Sequence, residues 1–173
     1  NRFDASVDGI EYDAKFMFDE LGFNFIPSEL SAAFGLVQLE KLEHFTNIRR
    51  KNYAMLLESF RKYDDWFILP SQLEFIETAM LAFPFIVKKT APFSRRQMQI
   101  YFEEHDIQTR TIFTGNILRQ SGFKNIERRD SPSGYPNSDQ VMAGGMLIGC
   151  HQGMTHVEVA YVIACIDSFA KLF

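Results

Sequence analysis

A chain of 173 residues with 46% hydrophobic and 23% charged side chains has the make-up of an ordinary packed domain, which excludes disorder and low complexity. The net charge of −4 comes from 22 acidic and 18 dispersed basic residues, so nothing here builds the footprint that holds a nucleic-acid backbone. The two cysteines, Cys150 and Cys165, give neither a disulfide framework nor metal-ligand spacing, and the expected compartment is the reducing cytoplasm.

In chain order, residues 1–26 show no sustained period and read as loop with short extended pieces. They also carry Phe16, Phe18, Phe23 and Phe25 of the 18 phenylalanines. Core packing and a subunit interface both use aromatics this way, and composition does not separate them. From Ser28, an N-cap preceded by Pro27, helical spacing sets in with Leu30, Ala33, Phe34 and Val37. It recurs in Tyr53, Leu56, Leu57 and Phe60, which predicts one long helix or two in tandem broken near His44.

Trp66–Leu69, stopped by Pro70, and Met80–Lys88 are predicted strands. Ser94 with Gln97 makes a capping box for a helix with the stripe Met98, Tyr101, Phe102 and a terminal His105. Ile107–Phe113 alternates as a strand does. Residues 115–137 are predicted to be mostly loop, followed by a short helix at 138–143 and a strand at 146–150. Thr155 with Glu158 caps a last helix carrying Val159, Val162, Ile163 and Ile166. The sum is a small α/β or α+β layer of three or four strands covered by helices. The longest apolar run, Ala79–Val87, contains Pro84 and is far short of the roughly 20 residues that span a bilayer. With Asn1 first and no charged-then-apolar leader, the chain reads as a portion of something longer.

No glycine-rich phosphate loop, nucleophile elbow or zinc-binding helix motif occurs. Cys165 lies in an apolar helical stripe, where an inert thiol is expected. Cys150 and His151 are neighbours on or beside a strand, where adjacent side chains face opposite ways. The residues by themselves describe a globular domain without its own catalytic set, and no metal site is expected.

The segment from Gly22 to Leu39, GFNFIPSELSAAFGLVQL, resembles the G-[YF]-N-x-x-x-[ST]-[DE]-[LM]-Q-A-A-x-G-L-x-Q-L stretch of the pyridoxal-phosphate-dependent sugar aminotransferase and dehydratase family, with Ser31 departing from Gln. Pro92-Phe93-Ser94-Arg95, Thr109-Arg110, Thr114-Gly115-Asn116 and the run Gly149–Thr155 follow in that family's order and spacing. Within it the chain is most similar to the nucleotide-sugar 3-dehydratases of lipopolysaccharide O-antigen synthesis. The aminotransferases tend to show Tyr and Pro-Leu-His after the Thr-Arg pair, where this chain has Thr111–Asn116, and His where it has Leu81.

The resemblance implies the small C-terminal domain of a fold-type-I pyridoxal-phosphate enzyme. Residues 1–26 would be a loop and dimer-contact segment, 27–63 a connecting helix or helix pair, and 64–173 the small domain itself. It implies a homodimer, pyridoxal or pyridoxamine phosphate as cofactor, and a nucleotide-diphosphate sugar as substrate. Asn24 would bind the cofactor phosphate across the dimer, and Arg110, Asn116 and His151 are candidates for substrate contact. In such proteins the large domain, the ring-nitrogen carboxylate and the Lys or His of the Schiff-base position lie upstream. The isolated chain is therefore expected to be catalytically silent. An upstream iron–sulfur cluster would mark the branch that works with a reductase. The alternatives are a sugar aminotransferase of the same family and a non-catalytic interaction domain on this fold.

Overall fold

The computed structural model describes residues 4–23 and 25–173. They form two compact units that divide between Glu40 and Lys41.

The first unit opens with a hairpin of β1 (Ala5–Val7) and β2 (Ile10–Tyr12), paired Ala5↔Tyr12 through Val7↔Ile10. Its two-residue turn is Asp8-Gly9, both at positive φ (52° and 82°), as the twist of a tight hairpin requires. A short 3-10 turn follows at Ala14–Phe16, and α1 spans Glu29–Glu40. The Ala32 amide donates to the Ser28 carbonyl, which places the helix start where Pro27-Ser28 predicts it. None of α1 is buried: Leu30, Phe34 and Val37 stand in the open, as do Phe16, Phe18, Phe23 and Phe25. Among the described residues, the early aromatics are therefore exposed rather than core.

In the second unit, α2 (Leu42–Arg61) buries Asn52, Tyr53, Leu56, Ser59 and Phe60, a stripe at helical spacing. The expected tandem pair is present, with its break at Lys41 rather than near His44. A four-stranded antiparallel sheet follows the order β3-β4-β6-β5, from β3 (Phe67–Ile68), β4 (Ala82–Val87), β5 (Thr109–Thr111) and β6 (Gly145–Gly149). Pro84 is tolerated in β4 because β3 has ended before reaching it, so that side of the strand needs no ladder donor. The remaining helices are α3 (Arg95–Glu104), α4 (Pro136–Gly144) and α5 (His156–Ala170). Both predicted capping boxes are formed, and His105 is the C-cap of α3, its Nδ1 2.7 Å from the Tyr101 carbonyl.

One core joins the helices to one sheet face. Phe83, Phe85, Met146 and Ile148 point inward by strand alternation and meet Leu56 and Phe60 of α2, Met98 and Phe102 of α3, and Val159, Ile166 and Phe169 of α5. Phe60 sits at its centre, with ring centroids 4.6 Å from Phe85, 5.0 Å from Phe83 and 5.1 Å from Phe67. The other sheet face carries Ala82, Pro84, Ile86, Leu147 and Arg110, none of them fully buried. No helix among the described residues is long and apolar enough to cross a membrane.

Candidate functional site

Arg110 is the middle residue of β5, paired with Leu147. Its neighbours Thr109 and Thr111 pair with the inward-facing Ile148 and Met146, so alternation puts Arg110 on the opposite, open face. It is exposed and makes no salt bridge or side-chain hydrogen bond among the described residues. A free guanidinium on an open sheet face is a ready fork for phosphate or carboxylate oxygens.

Asn116 lies beyond the end of β5 and is buried. Its Oδ1 accepts from the Leu118 amide, making it the cap of the 3-10 turn Ile117–Arg119. Its Nδ2 donates to Asp139 Oδ1 at 2.7 Å. Arg119 holds the same carboxylate with both Nε and Nη2, at 2.5 and 2.6 Å. Hydrogen bonds from Arg119 and then from Asn116 keep the Asp139 carboxyl down at about 2. Asn116 thus spends its amide oxygen on its own turn and its amide nitrogen on α4.

His151 sits in the loop between β6 and α5. Its Nδ1 accepts from the Gly153 amide at 3.1 Å, which leaves the proton of the neutral ring on Nε2. The loop is moored to α2: Asn52 Nδ2 donates to the carbonyls of His151 and Met154, and Arg49 Nε donates to Gln152 Oε1 at 2.7 Å. A cleft of about 360 Å3 beside it is lined by Ile107, Gln108, His151, Met154, Glu158 and Tyr161, among others. Cys150 faces the core, its thiol donating to the Met80 carbonyl, and burial pushes it up to about 11. No thiolate–imidazole pair forms.

Because β5 and β6 run antiparallel, the Asn116 loop leaves the sheet beside Met146, while His151 leaves it beyond Gly149. That is about 13 Å of strand between the two ends. Arg110 stands between them, and the structure does not bring Asn116 and His151 onto one small site. Asn24 lies outside the described residues. Asp139, Arg119 and Asn52 are the polar groups that sequence reasoning missed. Asn52, a lone amide on the apolar stripe of α2, carried the one readable signal.

Among the described residues no cluster of His, Cys, Asp and Glu is arranged to hold a metal ion. The N-termini of α3 and α5 are closed by their own capping boxes, and the cysteines are buried.

Residues 4–167 match the description of the DegT/DnrJ/EryC1/StrS aminotransferase family. The chain belongs to that family. Among the curated DegT/DnrJ/EryC1/StrS relatives, lipopolysaccharide biosynthesis protein RfbH of Salmonella typhimurium is 30% identical over 161 residues, covering 93% of this chain and 37% of that protein. Among solved structures, the E. coli GDP-4-keto-6-deoxy-D-mannose-3-dehydratase with bound hydrated PLP is 31% identical. Its TM-score is 0.74, over 87% of this chain and 38% of that one. A mutant GDP-4-keto-6-deoxymannose-3-dehydratase (ColD) with bound GDP-perosamine is 28% identical. The TM-score there is 0.77, over 95% and 42%. The chain thus spans less than half the length of the relatives it matches.

Proposed function

We propose that this chain is the C-terminal portion of a nucleotide-sugar 3-dehydratase that removes the C3 hydroxyl of a 4-keto-6-deoxyhexose on the way to a lipopolysaccharide dideoxysugar. The observation that carries this reading is the match, over about nine-tenths of the chain, to proteins bearing that activity in their names.

In this reading the cofactor is pyridoxal or pyridoxamine phosphate, which when bound supplies the electron sink for C–O cleavage at C3. The residues of this chain bind and orient. Asn24 offers an amide donor to the cofactor phosphate across a homodimer. Arg110, unpaired on the open sheet face, takes the diphosphate of the substrate. His151 offers Nε2–H at the other end of the strand pair, and Asn116 holds the loop next to Arg110 in place. Acid–base catalysis belongs to residues upstream, as does any iron–sulfur cluster served by a reductase. The open aromatics of residues 5–40 fit a segment covered by the rest of the polypeptide and by a second copy.

The test is to express the full-length protein, load it with pyridoxal or pyridoxamine phosphate, and supply 4-keto-6-deoxyhexoses carried on GDP, CDP or dTDP. These are given together with glutamate as amino donor or, in a parallel assay, a reductase as the source of the two electrons that C3 deoxygenation consumes. NMR of the product should show a methylene at C3. A 4-amino sugar would make the protein an aminotransferase, and a protein that retains no cofactor and converts nothing would be the non-catalytic form. In the same protein, Asn24→Ala should weaken cofactor affinity roughly ten- to a hundred-fold, the worth of one charge-assisted hydrogen bond.

A further inference from the structure

The connection from β5 to α4 is fastened more firmly at residues 111–120 than a surface loop requires. Asp139 of α4 accepts from Asn116 and from both arms of Arg119. One turn along the same helix, Met142 lies so close to Gly115 (φ +62°) that a Cβ there would collide with it. Thr111 Oγ1 donates to the Phe113 carbonyl at 3.1 Å, and Gln120 Nε2 donates to the Thr114 carbonyl at 3.3 Å. Asp139 and Met142, three residues apart, make one face of α4 the floor of this loop.

Within it, Phe113 has φ of +44°, a region that bulky side chains avoid, and its ring is 86% exposed. A strained backbone that holds an aromatic ring in the open gains little from packing among the described residues. Such strain persists where the surroundings over-determine it, and it collects at ligand contacts.

We propose that Phe113 is a stacking platform for the base of the nucleotide-sugar, held in position by the Asp139 latch. The substrate class rests on the proposed function above; the contact rests on the loop. The ring offers a bare π-face, and every nucleobase presents one to match. Arg110, three residues earlier, supplies an exposed guanidinium without a partner among the described residues, suited to the diphosphate that adjoins a base. Asp139 is a positioning residue: it acts through Asn116 and Arg119 on the loop and touches no ligand.

The experiment uses the full-length protein and titrates GDP, CDP and dTDP, which carry a base and diphosphate without the hexose, by calorimetry. For the nucleotide preferred by the wild type, Phe113→Ala should bind roughly tenfold more weakly and Phe113→Tyr within about twofold of wild type. Asp139→Asn should also weaken binding, and adding it to Phe113→Ala should change little further, because both remove the same contact. In turnover the loss should fall on KM, with kcat within about twofold. Binding by Phe113→Ala within twofold of wild type would overturn the proposal. So would a lowered Tm or altered oligomeric state at unchanged nucleotide affinity, which would make the ring a packing contact. A wild type that binds none of the three nucleotides overturns it as well. If the nucleotide pattern holds while no C3-deoxygenated product forms, the stacking contact stands and the proposed reaction falls.

Discussion

Asn52, buried on α2, donates through a single amide nitrogen to the carbonyls of both His151 and Met154, 3.1 Å from each. One side chain from a helix nearly a hundred residues upstream thus fixes both ends of the His151 turn. Asn52→Leu should cost about 1–3 kcal/mol, since the Met154 carbonyl loses its side-chain donor and the His151 carbonyl keeps only the Met154 amide. Urea unfolding measures the loss. The His151 ring resonances should broaden or shift in the same variant, and unchanged resonances would show that α2 does not set the ring.

Phe60 is fully buried and touches three other phenylalanines, so Phe60→Ala should leave a cavity and cost about 3–5 kcal/mol. The urea midpoint should fall with little change in slope. A loss below about 1 kcal/mol would mean that the core closes around the gap.

The Asp139 carboxyl titrates at about 2 when folded, against an ordinary value of 3.8. A depressed folded pKa means that its contribution is fully present above about pH 4 and is lost as the pH falls toward 2. Residues 115–135 should loosen in that window, seen as accelerated amide exchange there. Asp139→Asn should remove this pH dependence. A Asp139 titration midpoint near 3.8 by NMR would contradict the latch geometry.

Burial raises both thiols, Cys150 to about 11. At pH 8 only about one Cys150 in a thousand would be thiolate, so native protein should resist alkylation until it is unfolded. Rapid labelling of the folded chain would show that the sheet end opens readily.

The aromatics of the first unit give a further expectation. Phe18 and Phe25 are 84% and 88% exposed, so replacing both with Ser should lower self-association of the isolated chain in light scattering. The stability of residues 41–173 should not change. Equal association before and after would place the sticky surface elsewhere.

Signals carried within a few residues were decisive in the sequence. Ser94 with Gln97 and Thr155 with Glu158 set two helix starts, because a capping box closes on its own backbone. Pro70 bounded β3, and the spacing of Tyr53, Leu56 and Phe60 marked the buried face of α2. The Gly22–Leu39 motif pointed to the family that residues 4–167 match.

What needed the tertiary structure were relationships between distant segments. The order β3-β4-β6-β5 inserts the last strand between two earlier ones, a pairing no local pattern encodes. Asn116 looked like a free amide until Asp139, 23 residues on, took up its nitrogen. Antiparallel pairing sent Asn116 and His151 to opposite ends of the sheet, though both follow a strand in sequence. Periodicity showed that α1 has an apolar stripe, and only the structure showed that Leu30, Phe34 and Val37 stand exposed among the described residues. The physical reason is the same in each case: a side chain's period is set by its own backbone, whereas its partner is set by where the rest of the chain comes to lie.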